Sequence, residues 1–274
     1  MKIKFFCPYW GSEKLTMEIF CNKVKNEGYD GVEMGLPTEK TKKDLIIKSF
    51  EKFDLQLIGQ HYETLEPDFE KHKKIYVHHL ENLADSPALF INSQTGKDYY
   101  SFDQNKALVD IANQVSANTK MKILHETHRG KFSFAAHITR EYLDKLPDLR
   151  ITLDISHWCN VAETFLEDQE EAVNLAISRT DHIHSRVGYQ EGPQIPDPRA
   201  PEWQNAIEIH ARWWDKVIEL KRKNGEDQFT ITSEFGAPPY LLLMPFTRQP
   251  ITSQWEVNVH MMHLLKKRYS LETN

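Results

Sequence analysis

Short apolar runs alternate with longer amphipathic stretches from one end of the chain to the other. Eight of the runs read as strands: residues 3–7, 31–34, 55–60, 88–92, 122–126, 150–154, 182–185 and 229–234. Between them apolar residues recur at helical spacing. Leu108, Ile111, Ala112 and Val115 share one face, and Trp203, Ala206, Ile207, Trp213, Trp214, Val217 and Leu220 do so more loosely. Trp255, Val259, Met262 and Leu265 mark a last helix. Strands begin roughly every 25–35 residues, the size of one βα unit. Eight strands alternating with eight helices predict a single closed (β/α)8 TIM barrel over residues 1–274. An open doubly wound sheet is the competitor, but the chain has neither GxGxxG nor GxxxxGK[ST].

Composition narrows the partners. The chain has 274 residues, of which 40% are hydrophobic and 27% charged, an ordinary globular balance. Its 34 basic and 40 acidic residues give a net charge of −6, which disfavours nucleic acid as a ligand. Cys7, Cys21 and Cys159 form no CxxC pattern and read as reduced thiols. No segment approaches the run of about 18 apolar residues that spans a membrane. The opening MKIKFFCPYWG is too short in apolar residues for a secretory leader and reads as the first strand. A soluble, cytoplasmic protein is the expectation.

Four strands end in residues that bind metals or move protons. Strand five (KILHETHRG) ends at Glu126, and strand six (RITLDISHW) at Asp154 with His157 three residues on. Strand seven (DHIHSR) carries His182 and His184, and strand eight (FTITSEFG) ends at Glu234. The C-terminal ends of parallel barrel strands form one ring, so these residues converge. Alternation supports this: Thr152 with Asp154, His182 with His184, and Thr230, Thr232 and Glu234 each oppose an apolar set suited to the outer helices. Three carboxylates and an imidazole at one point form a hard, oxygen-rich set suited to one divalent cation: Mn²⁺, Co²⁺, Mg²⁺ or Zn²⁺. Without a cation, at least one carboxylate must take up a proton.

The fragments YDGVEMG, GQH, ETH, DISH, HIHSR and SEFG, in this order, resemble the xylose isomerase-like TIM barrels along essentially the whole chain. That group contains ketose 3-epimerases, hydroxypyruvate isomerases, inosose dehydratases and endonuclease IV. The resemblance implies metal ligands at Glu126, Asp154, His184 and Glu234, with His182 behind them. It implies substrate contact at His157 and polar positions near the barrel mouth at Glu33 and His61. Trp10, Trp158 and Trp203 are candidates to stack on a sugar. Lys97 reads as solvated.

Strands five and eight are three apart in the ring, which predicts that Glu126 and Glu234 face each other across the mouth. One Glu would remove a proton beside a metal-polarised carbonyl, and the same or the opposite side would return it. Return at the neighbouring carbon is isomerisation; return on the opposite face is epimerisation. His157 and Arg186 are candidates to hold the developing oxyanion. The expected substrate is a small carbohydrate.

Three alternatives remain open from sequence. A dehydratase uses the same proton abstraction and then expels a β-hydroxyl. An endonuclease IV-like enzyme needs a three-zinc cluster and an Asp-x-His after strand seven, where this chain reads HSRVGYQEGPQIP. A non-catalytic sugar-binding barrel is the third. Residues 188–201 hold four of the 13 prolines and read either as a stiff surface loop or as a lid over the active face. Residues 236–250 form a second Pro-rich connection on that face. Tryptophans expected to be exposed on the last helices would permit a homodimer.

Overall fold

A computed structural model describes residues 1–270. Eight parallel strands close into one barrel in the order of the chain. They are β1 (Lys2–Pro8), β2 (Gly31–Met34), β3 (Gln56–His61), β4 (Ile91–Ser93), β5 (Ile123–Glu126), β6 (Ile151–Leu153), β7 (Thr180–His184) and β8 (Gln228–Thr232). Each lies within a few residues of the run that predicts it. The helices depart from strict alternation at one place. α1 (Met17–Glu27), α2 (Lys40–Lys52), α3 (Phe69–Ala84), α4 (Phe102–Thr119) and α5 (Ala136–Lys145) follow the first five strands singly. Both α6 (Ser156–Ala162) and α7 (Glu170–Arg179) lie between β6 and β7, and α8 (Gln204–Lys223) and α9 (Gln254–Ser270) complete the ring.

Local sequence sets the helix ends. Thr16 caps α1 by accepting from the Ile19 amide, and Gly28 ends it at φ 86°, a left-handed conformation that costs glycine little. Ser101 and Gln104 form a reciprocal capping box at the start of α4. Such caps decide where each strand begins, and hence which residue stands at its C-terminal end.

Strand alternation produces two cores. Outward residues such as Phe5, Val32, Leu57, Ile91, Leu153, Ile183 and Ile231 join the helices in one continuous cluster. Inside the barrel, Phe6, Ile58, Phe90 and Leu124 form a separate apolar plug. His182 rests edge-on against Phe90, with ring centroids 5.2 Å apart. Polar side chains begin at this level and fill the barrel toward its C-terminal mouth. At the other end Asp181 ties three strands together, pairing with Lys122 at 2.7 Å and with Arg150 and Lys221 at 2.5 Å each.

Residues 188–201 are pinned to the barrel. Their backbone is stitched down, with Ile195 N donating to Val187 O, and the Gln194 side chain grips the backbone of Gly236 through both its polar atoms. The stiff-loop reading describes this segment. The tryptophans of the last helices are not exposed either: Trp214 is fully buried, and Trp213 and Trp255 are partly buried against the core.

Phe6 is fully buried in the plug. Phe6→Ala is expected to cost about 3–5 kcal/mol through lost burial and the cavity left behind. Urea unfolding measures this as a lower midpoint with an unchanged slope.

Candidate metal centre and active site

β5, β6, β7 and β8 deliver their C-terminal residues to one point. Donor atoms of Glu126, Asp154, His184 and Glu234 all lie within 4.8 Å of one another, and all four residues are buried. Glu126 and Glu234 come from strands three apart in the ring, and their carboxyls converge beside His184. His184 Nδ1 is 2.7 Å from Glu234 Oε2 and 3.8 Å from Glu126 Oε1.

Glu33, at the end of β2, sits below this group and is 1% exposed. Its two oxygens lie 3.0 and 3.1 Å from His184 Nε2. It also accepts from Asn92 Nδ2 at 2.8 Å and from Thr232 Oγ1 at 2.5 Å, and lies 3.2 Å from His182 Nε2. His182 in turn reaches Thr230 Oγ1 at 2.7 Å. Glu33 thus holds the Nε2 proton of His184, and in the neutral ring the Nδ1 lone pair is turned toward the three acids, 2.7 Å from Glu234 Oε2. A lone pair presented this way is how a histidine meets a metal, with the carboxylate behind it fixing tautomer and ring orientation.

The acids are held by donors that sequence reasoning missed. Asn92 Nδ2 and Gln94 Nε2 donate to Glu126 at 3.0 and 3.2 Å, and Gln60 Nε2 donates to Glu234 at 3.0 Å. Arg186 Nη2 donates to Asp154 at 2.5 Å and to Glu234 at 3.0 Å. Ser156 supplies both its amide and its hydroxyl to Asp154. Strand alternation could have found Gln60 and Asn92, which face inward beside Ile58 and Leu124.

The remaining expected site residues divide. Trp10 and Arg186 line a cavity of about 520 Å³ above the acids, with Glu234, Gln60, Gln94 and His128. Tyr62, Glu63, Leu65 and Tyr240 complete its wall. His157 is buried next to Arg186, whose Nη2 lies 3.1 Å from His157 Nε2. His61 does not reach the cavity. It faces the helices, with Nδ1 at 3.1 Å from Ser93 Oγ and Nε2 at 2.8 Å from Thr64 Oγ1. Trp158 is also core, its indole N–H donating to Ser133 O at 2.9 Å. Two further donor groupings occur, Glu33–His182–His184 and Glu126–His128–His157. The first is filled by its own hydrogen bonds. In the second, His157 Nε2 already accepts from Arg186 and His128 Nδ1 from its ring donates to Arg129 O at 2.6 Å.

Four buried carboxylates around one guanidinium leave excess negative charge, and the titration of the site follows from it. Burial, then repulsion from Glu234 and Asp154, pushes Glu126 up to about 8. Burial also works against ionised Glu234, but His184 and Arg186 outweigh it and hold Glu234 below the usual carboxylate range. His184 is buried too, yet Glu234, Glu33 and Glu126 keep it well above an ordinary histidine. His157 is driven well down by burial, then by His128 and Arg186, and is neutral. The donor set fits a divalent cation: three carboxylates and the His184 Nδ1 nitrogen converge where positive charge is short.

No family model matches the chain, and no curated protein matches it in sequence. Solved structures do. A "probable 3-DHS dehydratase" involved in petrobactin synthesis from Bacillus anthracis is 17% identical, with 97% of this chain and 99% of that chain covered and a TM-score of 0.59. The 3-keto-D-glucoside 4-epimerase of E. coli, in its apo form, is 14% identical over 97% and 100% of the two chains, with a TM-score of 0.61. A xylose isomerase domain protein from Planctomyces limnophilus is 12% identical over 85% and 89%, with a TM-score of 0.54.

Two measurements check the site. Glu126 binds its proton more tightly folded than unfolded, so it stabilises fully below its unfolded value and that contribution is lost as pH rises through about 8. Metal-free protein is expected to lose melting temperature between about pH 5 and 8, and Glu126→Gln to flatten that slope. Glu33→Gln is expected to weaken Mn²⁺ or Co²⁺ binding about 10–100-fold, read by elemental analysis and titration calorimetry. Unchanged affinity would show that Glu33 does not hold a ligand. By its fold, the chain is a closed (β/α)8 barrel.

Proposed function

We propose that this chain is a divalent-metal-dependent isomerase or epimerase of a ketose or a related polyhydroxy carbonyl compound. One observation carries the reading: Glu126, Asp154, His184 and Glu234 converge within 4.8 Å at the floor of a cavity of sugar-binding size. These four would hold the cation. When bound, it supplies polarisation of adjacent carbonyl and hydroxyl oxygens, which acidifies the C–H between them.

The chain's own residues then move the protons. Glu234, held ionised by His184 and Arg186, is placed to take the proton from carbon. Glu126, the second glutamate at the site, is placed to return one. Arg186 Nη2 donates into His157 Nε2, which puts the imidazole proton on Nδ1. Both His157 Nδ1 and Arg186 Nη1 are buried without a partner, so two donors remain for a developing oxyanion.

The test uses ketoses in deuterated water with Mn²⁺ or Co²⁺, following exchange of the C–H beside the carbonyl by NMR. Glu126→Gln and Glu234→Gln are each expected to slow exchange about 10²–10⁴-fold with an unchanged circular dichroism spectrum. Near-wild-type exchange in either variant would remove that residue from the acid–base pair. Loss of water from the product would identify a dehydratase, for which the same proton abstraction serves. Sugar binding with neither exchange nor elimination would leave a non-catalytic barrel.

A further inference from the structure

The cavity above the acids has two chemically distinct parts. Its floor is polar and committed: Glu234, Arg186, Gln60 and Gln94 are bound to one another or to the other acids. Its wall and rim are apolar and free. Trp10 and Tyr240 meet edge to face at 5.2 Å, and Tyr62 and Leu65 stand at the rim, 47% and 69% exposed.

The wall is built, not incidental. Gly236 gives the Trp10 indole its seat, since a Cβ there would fall 2.3 Å from the ring. Gln254 Nε2 ties the backbone oxygens of Trp10 and Phe235 together at 2.8 and 2.9 Å. Trp10 is therefore fixed by its own backbone and by the loop after β8. A rigid aromatic face suits the C–H face of a ring sugar, while bare Tyr62 and Leu65 are apolar area with no protein to cover it.

Charge separates possible substrates further. Among the described residues, Arg186 is the one Lys or Arg that lines the cavity, and Asp154 and Glu234 already engage it. Glu63 adds a carboxylate at the rim. Lys131, buried and unpaired, lies within the electrostatic reach of Glu126 and Glu63 but does not line the cavity. A phosphate at the rim would meet tyrosine, leucine and a carboxylate, an arrangement that discriminates against it; Arg129, 5.0 Å over the Tyr240 ring, is a further cation beside the wall but does not line the cavity. A volume of about 520 Å³ is also in the range that encloses a ligand larger than one small sugar.

From the aromatic wall, the bare apolar rim and the acidic lining, we propose that the substrate is an uncharged ring sugar with a ketone on the ring and an apolar or ring substituent at the glycosidic carbon, and not a sugar phosphate. This rests on the isomerase or epimerase reading for what happens at the floor. It concerns recognition, which is measured without turnover.

The experiment is titration calorimetry on the full chain, with and without Mn²⁺. The probes are phenyl and methyl glycosides of glucose, galactose, mannose and xylose, and the 6-phosphates of glucose, mannose and fructose. At least one phenyl glycoside is expected to bind tenfold or more tightly than its methyl counterpart, with every phosphate weaker than both. The phenyl advantage is expected to disappear in Tyr62→Ala/Leu65→Ala, two exposed positions whose truncation spares the fold, while the methyl glycoside binds as before. A sugar phosphate that binds as tightly as the best glycoside overturns the proposal, and its loss in Lys131→Met would assign the anion to that lysine instead. Persistence of the phenyl advantage in the double variant, or no binding of any ring sugar, also overturns it. Failed proton exchange beside intact glycoside binding would count against the isomerase reading alone.

Discussion

Glu33 and His184 form the contact on which the site depends. Both Glu33 oxygens lie 3.0–3.1 Å from His184 Nε2, in a place where neither residue meets water. This pins the imidazole and leaves Nδ1 toward Glu126, Asp154 and Glu234. Burying four carboxylates together is costly unless positive charge accompanies them. His184 and Arg186 supply part of it. The shortfall appears as the upward push on Glu126 and as an opening for a cation.

The barrel makes that arrangement rigid. Phe6, Ile58, Phe90 and Leu124 seal the interior from below, and a layer of His182, Thr230, Thr232 and Glu33 bridges this plug to the acids. Each acid stands on a strand end or one or two residues past it, where the closed ladder limits its movement. Beneath it lies hydrocarbon, so the charges act on one another with little screening.

Recognition is built from other material. Trp10, Tyr62, Leu65 and Tyr240 all lie on loops that follow strands, and the loop after β8 is held by Gln194 and Gln254. The division is the usual one for a barrel: strand ends carry the chemistry and loops shape what may approach it. A change in substrate could therefore be reached by altering the loops without disturbing the acid cluster.

The chain by itself determined the barrel and the cluster at its mouth. Strand runs of regular spacing dictate βα units, and a parallel ring forces Glu126, Asp154, His184 and Glu234 to one end. Those inferences need only the two-residue period of a strand and the direction of the chain, except that the choice of His184 over His182 came from the family resemblance. Where the period was not clean, sequence was silent. β3 places Ile58 with Gln60 on one face and Leu57 with His61 on the other, so both faces mix apolar and polar residues. Alternation sets Gln60 beside Ile58, but only the closed register brought it within reach of Glu234 and turned His61 toward α3. The burial of Trp158, the loop tyrosine Tyr240 in the cavity wall, and the clamp that keeps residues 188–201 from acting as a lid were likewise decided in three dimensions. So was the split between Glu126 and Glu234, because the electrostatic work of ionising a group depends on distances through space, which positions along a chain do not contain.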